Sequence, residues 1–219
     1  MPDNFYTFVK ANAGYFLMVA TLLVAGLAWT ALMPKGALIL WFSDHRSQAG
    51  NLFFAIATRG GEVAGFLLVM AILWRIHFRW VLVLGAMTLA VALTSNLSKS
   101  LLGQPRPARY FKDQGNWQDI VPVPGIELHQ GFTSLPSGHT MAAFAFFSLL
   151  AFCLKEKRIG APIAFALALL TGLSRIYLVQ HFEEDVLLGA AVGFVLAILF
   201  YWWFAPREAH VGKDERNTA

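Results

Sequence analysis

The stretch Ser174-Arg-Ile-Tyr-Leu-Val-Gln-His-Phe-Glu-Glu-Asp185 separates two long apolar runs. Its His181 and Asp185 are four residues apart, so on a helix they share one face and the carboxylate can accept the proton of one imidazole nitrogen. The other nitrogen is then free to act as a nucleophile or a base. Arg175 carries a planar, permanent charge suited to phosphate. Taken alone, the stretch is more typical of a salt-bridged helix junction at a membrane surface.

The composition around this stretch is that of a membrane protein. The chain is 57% hydrophobic and 14% charged, with a mean hydropathy of +0.56, outside the soluble range. Apolar stretches near twenty residues long recur along it. Its 219 residues predict an all-α, polytopic protein with six transmembrane helices in one bundle, forming a single domain over residues 1–219. Cys153, the only cysteine, lies in an apolar run, which excludes a disulfide framework and a thiolate metal site.

Six spans are predicted from the apolar runs. They cover residues 15–33, 62–74, 80–97, 136–154, 159–176 and 184–204. Residues 37–58 alternate apolar clusters with polar residues, which predicts an interfacial helical segment lying on the membrane. Residues 99–135 form the longest polar connection, and residues 205–219 form a charged tail.

The basic residues predict the orientation of the chain. One side of the predicted membrane carries nine of them and the other side eight, of which three belong to the motifs described next. With those three set aside, the bias is nine to five, and the positive-inside rule places both termini, including the tail 205–219, in the cytoplasm. We therefore expect an integral multi-pass protein of a cell (inner) membrane, with its candidate site on the periplasmic or extracytoplasmic side.

Three separated segments then lie on one face of the membrane. They are Lys99 to Pro107, Pro136-Ser-Gly-His139 and Ser174 to Asp185. Each has an ordinary explanation by itself, since cations anchor span ends and Pro-Ser-Gly-His is a common helix start.

Together the three segments indicate a phosphate site. Lys99, Arg106 and Arg175 sit against hydrocarbon, where a central cation costs roughly 2.5–3.5 kcal/mol, so three converging cations need a shared anion. Helix starts add partial positive charge, and the backbone N–H groups of Ser137 and Gly138 can face an oxyanion. A phosphoryl group fits these cations, a helix N-terminus and two histidines.

The pattern Lys-x6-Arg-Pro, Pro-Ser-Gly-His and Ser-Arg-x5-His-x3-Asp resembles the three-part signature of the type 2 phosphatidic acid phosphatase superfamily. These are integral-membrane lipid phosphate phosphatases. The sequence follows the signature without departure from Lys99 to Asp185, and eleven fixed residues at three set spacings are a specific match. The six-helix layout extends the resemblance over nearly the whole chain.

The resemblance implies a role for each matched residue. It makes His181 the nucleophile, Asp185 the residue that orients it, and His139 the general acid. The residues that would bind the phosphate are Lys99, Arg106, Ser137, Gly138 and Arg175. Neither a metal nor another cofactor is implied.

Three other interpretations remain open from the residues themselves. His139, His181 and Asp185 could form a two-histidine, one-carboxylate metal site, although three nearby cations would repel a divalent ion. Intramembrane charges also occur in non-catalytic lipid-binding or transport proteins. A lipid phosphotransferase on the same scaffold would pass the phosphoryl group to an alcohol instead of water.

The function we expect is metal-independent removal of phosphate from a membrane lipid, through a phosphohistidine, at the non-cytoplasmic face. Residues 37–58 and 108–135 are the expected walls of the head-group site. The candidate substrates are phosphatidic acid, phosphatidylglycerol phosphate, a polyprenyl diphosphate and a glycolipid phosphate. The bilayer and this lipid are the expected partners. The net charge of +4 and the lack of a basic tract indicate no nucleic acid, and no obligate protein partner is evident.

Overall fold

The computed structural model describes residues 4–205, which fold into helices and contain no strand. In chain order the helices are α1 (Phe5–Ala11), α2 (Ala13–Leu32), α3 (Ala37–Asp44), α4 (Gln48–Ala57), α5 (Val63–Ile76), α6 (Phe78–Leu102), α7 (Pro107–Asp113), α8 (Gly138–Cys153), α9 (Lys157–Tyr177) and α10 (Glu183–Phe204). Short 3-10 turns cover Thr58–Gly61 and Trp117–Asp119. The predicted all-helical class is confirmed, whereas the predicted cytoplasmic tail lies, from residue 206 onward, outside the described residues.

Helix α8 forms the centre of the bundle. Every residue from Thr140 to Phe152 is buried, as expected for a helix that is apolar on all sides. Tyr15 of α2 and Ser148 of α8 share a hydrogen bond of 2.9 Å in this core. At the far end, Lys157 donates to two carbonyls of the last turn, at 3.0 Å each. Lys157 therefore satisfies carbonyls at the C-terminal end of α8.

Two glycines bring α10 into backbone contact with α8. A Cβ on Gly189 would collide with the carbonyl of Ser137, and one on Gly193 would collide with the carbonyl of Met141. Small residues of this kind let helix backbones approach closely. The close packing fixes the start of α10 against the start of α8.

The structure supports part of the predicted span count. Helices α2, α6, α9 and α10 are long and apolar enough to cross a membrane. The segments Gln48–Gly61 and Val63–Ile76 pass the same test only as a pair, bent by 57°. Helix α8 has 16 residues and rises only ~24 Å, less than the ~30 Å of a hydrocarbon core. The count of six is therefore not confirmed, because the described residues support four spans, or five with the bent pair.

Residues 37–58, predicted as one interfacial segment, form two helices with different neighbours. Helix α3 buries Ile39 in an apolar cluster with Phe111 of α7 and Phe182 at the start of α10. Helix α4 instead continues through the turn Thr58–Gly61 toward α5. An aromatic residue of each helix nevertheless contacts Tyr177 of α9, so the two helices together cover the bundle end at which α9 meets α10.

Candidate active site

Three segments that are distant in sequence meet at one end of the bundle. Lys99 lies in the last turn of α6, which Gly103 ends in a left-handed conformation with a φ of 54°. Arg106 is the N-cap of α7 and Ser137 is the N-cap of α8. The backbone N–H of Ser137 donates to the carbonyl of Asp185 in α10, at 3.0 Å. The starts of α8 and α10 are therefore joined directly.

A tight turn between α9 and α10 presents His181. Val179 has a φ of 57°, a left-handed conformation that costs an L residue roughly 1–2 kcal/mol. The carbonyl of Arg175 accepts the backbone N–H groups of both Gln180 (2.9 Å) and His181 (3.1 Å). Because such a backbone persists only where its surroundings hold it, the buried contacts of this turn determine where His181 stands.

Asp185 lies beside His181 and is held by other donors. Its Oδ2 atom is 3.4 Å from Nδ1 of His181, and both side chains are 2% exposed. That distance exceeds a well-formed hydrogen bond. The same oxygen accepts the hydroxyl of Ser134 and the backbone N–H of Phe182 (2.9 Å). The carboxylate is thus fixed in place and presents negative charge to Nδ1.

Arg106 faces the other ring nitrogen of His181. Its Nη1 is 3.3 Å from Nε2 of His181 and donates to the carbonyl of Gln180 at 3.1 Å. Because a guanidinium can only donate, this contact assigns the lone pair to Nε2 and the ring proton to Nδ1, on the side of Asp185. The ring is therefore in the tautomer whose Nε2 is free to attack an electrophile.

Positive charges surround His181. Burial, followed by the charges of Arg106, Arg175 and Lys99, lowers the pKa of His181 well below its ordinary value. Nη1 of Arg175 donates to the hydroxyl of Thr58 at 2.7 Å, while its buried Nε has no hydrogen-bond partner within residues 4–205. Buried polar groups in folded proteins normally have a hydrogen-bond partner. For the guanidinium of Arg175, a bound anion would be a suitable partner.

The start of α8 offers fewer backbone donors than predicted. The N–H of Ser137, expected to face phosphate, is occupied by the carbonyl of Asp185. The hydroxyl of Ser137 accepts from Thr140 Oγ1 at 2.8 Å. Gly138 faces α6, because a Cβ built on it would lie 3.0 Å from Oγ of Ser95 and 3.5 Å from Nζ of Lys99. The glycine thus keeps open the space between the start of α8 and the lysine.

His139 stands apart from the buried pair. Its side chain is 34% exposed, and Nε2 lies 3.3 Å from Oε1 of Glu62. Glu62 sits at the break between α4 and α5, and Arg59 bridges its other oxygen at 2.8 Å. The second histidine therefore also has a carboxylate, supplied by a different part of the chain.

Sequence reasoning missed three polar residues at this site. Glu62 is 77 positions from His139, Ser134 is 51 positions from Asp185, and Thr58 is 117 positions from Arg175. No periodic pattern links residues so far apart. The one available signal was an acidic residue directly after Gly60-Gly61, at the predicted start of a span.

The interpretation as a metal site requires His139, His181 and Asp185 to converge as ligands. In the part of the chain that the structure describes, no three His, Cys, Asp or Glu side chains form a group that could hold an ion. Beside the carboxylate of Asp185, the charged groups that converge on His181 are the cations Arg106, Arg175 and Lys99. Chemically, the arrangement combines a neutral nucleophilic nitrogen with charges that would bind an oxyanion.

Comparison with protein families gives one match that covers this site. The model of the PAP2 superfamily matches residues 79–209. The lipid A 1-phosphatase of Rhizobium johnstonii is 33% identical over 107 residues, which are 49% of this chain and 41% of that protein. Phosphatidylglycerophosphatase B of Bacillus subtilis is 38% identical over 89 residues, which are 37% of this chain and 42% of that protein. The match thus spans about two fifths of the length of these curated relatives.

The fold has a counterpart among solved structures. The crystal structure of LpxE from Aquifex aeolicus superposes with a TM-score of 0.64 and 26% sequence identity. The superposition covers 75% of this chain and 93% of that one. The helical arrangement is therefore shared over most of both chains.

Proposed function

The chain belongs to the PAP2 superfamily, and from that premise we propose that it removes phosphate from a membrane lipid with His181 as the nucleophile. The observation that carries this proposal is the surroundings of His181. A buried histidine with its lone pair on Nε2 lies among Arg106, Arg175 and Lys99, and a carboxylate backs its Nδ1. The cations would bind the phosphate oxygens, and the neutral Nε2 would attack the phosphorus.

In the first step, Nε2 of His181 forms a bond to phosphorus as the bond from phosphorus to the lipid oxygen breaks. Arg106 exchanges its contact with Nε2 for a phosphate oxygen, and Arg175 uses its open Nε. Asp185 stabilises the positive charge that develops on the ring. His139 protonates the departing alkoxide. In the second step, His139 takes a proton from water, which attacks the phosphohistidine and releases inorganic phosphate.

The lipid class is proposed from the relatives and the walls of the site. One relative is named as a lipid A 1-phosphatase and another as a phosphatidylglycerophosphatase, which keeps glycolipid phosphate and phosphatidylglycerol phosphate among the candidates, beside phosphatidic acid and a polyprenyl diphosphate. Helices α3 and α7 pack against Phe182, next to His181. Residues 37–58 and 108–135 would therefore contact the head group and select the substrate.

The reaction is tested with purified protein in detergent against the four candidate lipids. We expect release of inorganic phosphate that continues in chelator and that vanadate inhibits, since vanadate adopts the geometry of the transition state. Activity that disappears in chelator and returns with one divalent ion would replace this proposal with a metal mechanism. Transfer to an added alcohol without phosphate release would identify a phosphotransferase.

We further propose six membrane crossings, with α8 as a short central one, and the site on the non-cytoplasmic side. Support comes from the two ends of α8, since its start lies at the site and its end is capped by Lys157.

The orientation is tested by labelling two exposed positions. Gln114 lies in the long connection, and Glu156 lies beyond the capped end of α8. In a background with Cys153 replaced by alanine, a cysteine at Gln114 should react with an impermeant thiol reagent on intact cells. A cysteine at Glu156 should not, and the reverse pattern would invert the orientation.

A further inference from the structure

Glu62 is a carboxylate at the candidate site that the proposed mechanism leaves without a task. It is the N-cap residue of α5 and has an extended backbone, with a φ of −113° and a ψ of −168°. Its side chain does not cap the helix. It turns instead toward α8, where Oε1 lies 3.3 Å from Nε2 of His139. The carboxylate is therefore directed at a histidine rather than at its own helix.

The backbone break between α4 and α5 holds Glu62 in that place. A Cβ on Gly61 would collide with the backbone of His139, so the break touches α8 directly. On the other side, Thr171 of α9 donates to the carbonyl of Ala57 at 3.1 Å. Arg175 of α9 donates to Thr58 at 2.7 Å. The segment is thus fixed to α8 and to α9, each of which carries site residues, and these contacts hold Glu62 in position.

The charges around His139 make this contact chemically significant. Lys99 and Arg175 lie near the ring, together with His181. A general acid must carry a proton before it can donate one, and nearby cations oppose a charged imidazole. Glu62 supplies the one carboxylate that contacts His139 in the described residues. Arg59 holds the other oxygen of Glu62 at 2.8 Å, which fixes the orientation of the carboxylate.

We propose that Glu62 is a positioning residue for His139. It accepts the Nε2–H of the ring, which turns Nδ1 toward the phosphate and sustains the charged form. When the bond from phosphorus to the lipid oxygen breaks, the Nδ1 proton moves to that oxygen. The ring becomes neutral and keeps its Nε2–H on Glu62. This inference rests on the role proposed for His139, which the experiment tests separately.

The leaving group provides the readout. A lipid alkoxide needs a proton to depart, whereas nitrophenolate does not. Glu62→Gln keeps the shape of the side chain and removes its charge. We expect kcat on a lipid monophosphate to fall ~10- to 100-fold, within the range of general-acid catalysis, with little change in KM. On p-nitrophenyl phosphate the loss should stay below ~3-fold, which also shows that the variant is folded.

A double-mutant cycle shows whether the effect passes through His139. In a His139→Ala background, Glu62→Gln should add less than ~2-fold, because the residue on which it acts is gone. The matched control is Glu156→Gln, which changes an exposed acidic residue beyond the opposite end of α8 and should change neither rate. The control separates loss of a partner for His139 from loss of any acidic residue.

Two results would overturn the inference, and they differ from failure of the proposed function. The first is an equal loss of kcat on both substrates in Glu62→Gln and again in a second variant, Glu62→Asp. This result would show that Glu62 has only a structural role. Additive losses in the double mutant would show that it acts elsewhere. In both cases His139→Ala alone would still select between the two substrates. If His139→Ala itself shows no selectivity, the role of His139 is wrong as well.

Discussion

His181 and His139 stand at the same end of the bundle in opposite surroundings. His181 is 2% exposed and sits in a tight buried turn, whereas the side chain of His139 is 34% exposed. The carboxylate of the first comes from four residues further along, and that of the second comes from another helix. A nucleophile needs a fixed and neutral nitrogen, while an acid must exchange protons with water in every cycle. The two environments therefore match the two proposed tasks.

The largest effect expected from this contrast is the loss of His181. His181→Ala should lower the rate by at least ~10⁴-fold on a lipid monophosphate and on p-nitrophenyl phosphate alike, because no leaving group replaces a missing nucleophile. Both initial rates are measured on protein of matched purity. His77→Asn serves as the control histidine, since His77 is exposed at the start of α6, far from Lys99. Rescue of His181→Ala by the activated ester would mean that the two roles are reversed.

Loss of His139 should be smaller and selective. His139→Ala should lose ~10²–10⁴-fold on a lipid monophosphate, the usual contribution of a general acid. On p-nitrophenyl phosphate the loss should be within ~10-fold, because nitrophenolate departs unprotonated. The quantity to measure is the ratio of the two rates in mutant and parent. An unchanged ratio would contradict the proposed role of His139 as the general acid, and with it the difference in task between the two histidines.

The two halves of the site differ in how far the sequence could predict them. The pair His181–Asp185 is predicted from a spacing of four residues on a helix, although His181 lies in the turn before α10 and not on the helix itself. The surrounding cations are predicted from charges placed against apolar runs. The apolar runs place Glu62 at the start of a span, but they do not show that its carboxylate turns toward His139. Nor do they show that residues 37–58 divide into α3 and α4, or that α4 continues toward α5.

The predicted span count stays unconfirmed for a related physical reason. Hydropathy measures how apolar a stretch is, not what surrounds it. Helix α8 is as apolar as a lipid-facing span, yet it is buried by other helices and has only 16 residues. The availability of Ser137 was also overestimated, since sequence cannot show that the carbonyl of Asp185 takes its N–H. Contacts between elements, rather than patterns within them, decide these points.

A smaller effect tests how firmly the His181 side is held. Ser134→Ala removes the hydroxyl that donates to Oδ2 of Asp185, and a hydrogen bond to a charged group contributes about 1.5–3 kcal/mol. We expect a loss of roughly 10-fold, equal on both substrates, because Ser134 acts through Asp185 on the nucleophile. Ser100→Ala, an exposed serine near Lys99, is the control. A loss confined to the lipid substrate would place Ser134 on the leaving-group side instead.

The smallest expected effect is a shift in pH dependence, and it isolates the electrostatics of His181. Burial and the cations, Arg106 first among them, lower the pKa of His181, so the neutral nucleophile persists well below the ordinary histidine value. Removing a cation weakens the repulsion of the charged ring and raises that pKa. In Arg106→Gln the acidic limb of kcat/KM should therefore move to higher pH, whatever the loss in overall rate. Lys99→Gln should move it less, because Lys99 contributes less to the shift.

The substrate provides an internal reference for this measurement. A phosphate monoester has its own ionisation near pH ~6, which also produces an acidic limb. That limb belongs to the substrate and stays where it is in every variant, whereas a limb that belongs to His181 must follow the charges around it. The profiles are recorded with p-nitrophenyl phosphate, so that protonation of the leaving group by His139 does not enter. A limb that stays fixed in both variants would show that His181 does not titrate in this step. A limb that moves to lower pH would contradict the assignment of Nε2, surrounded by cations, as the attacking atom.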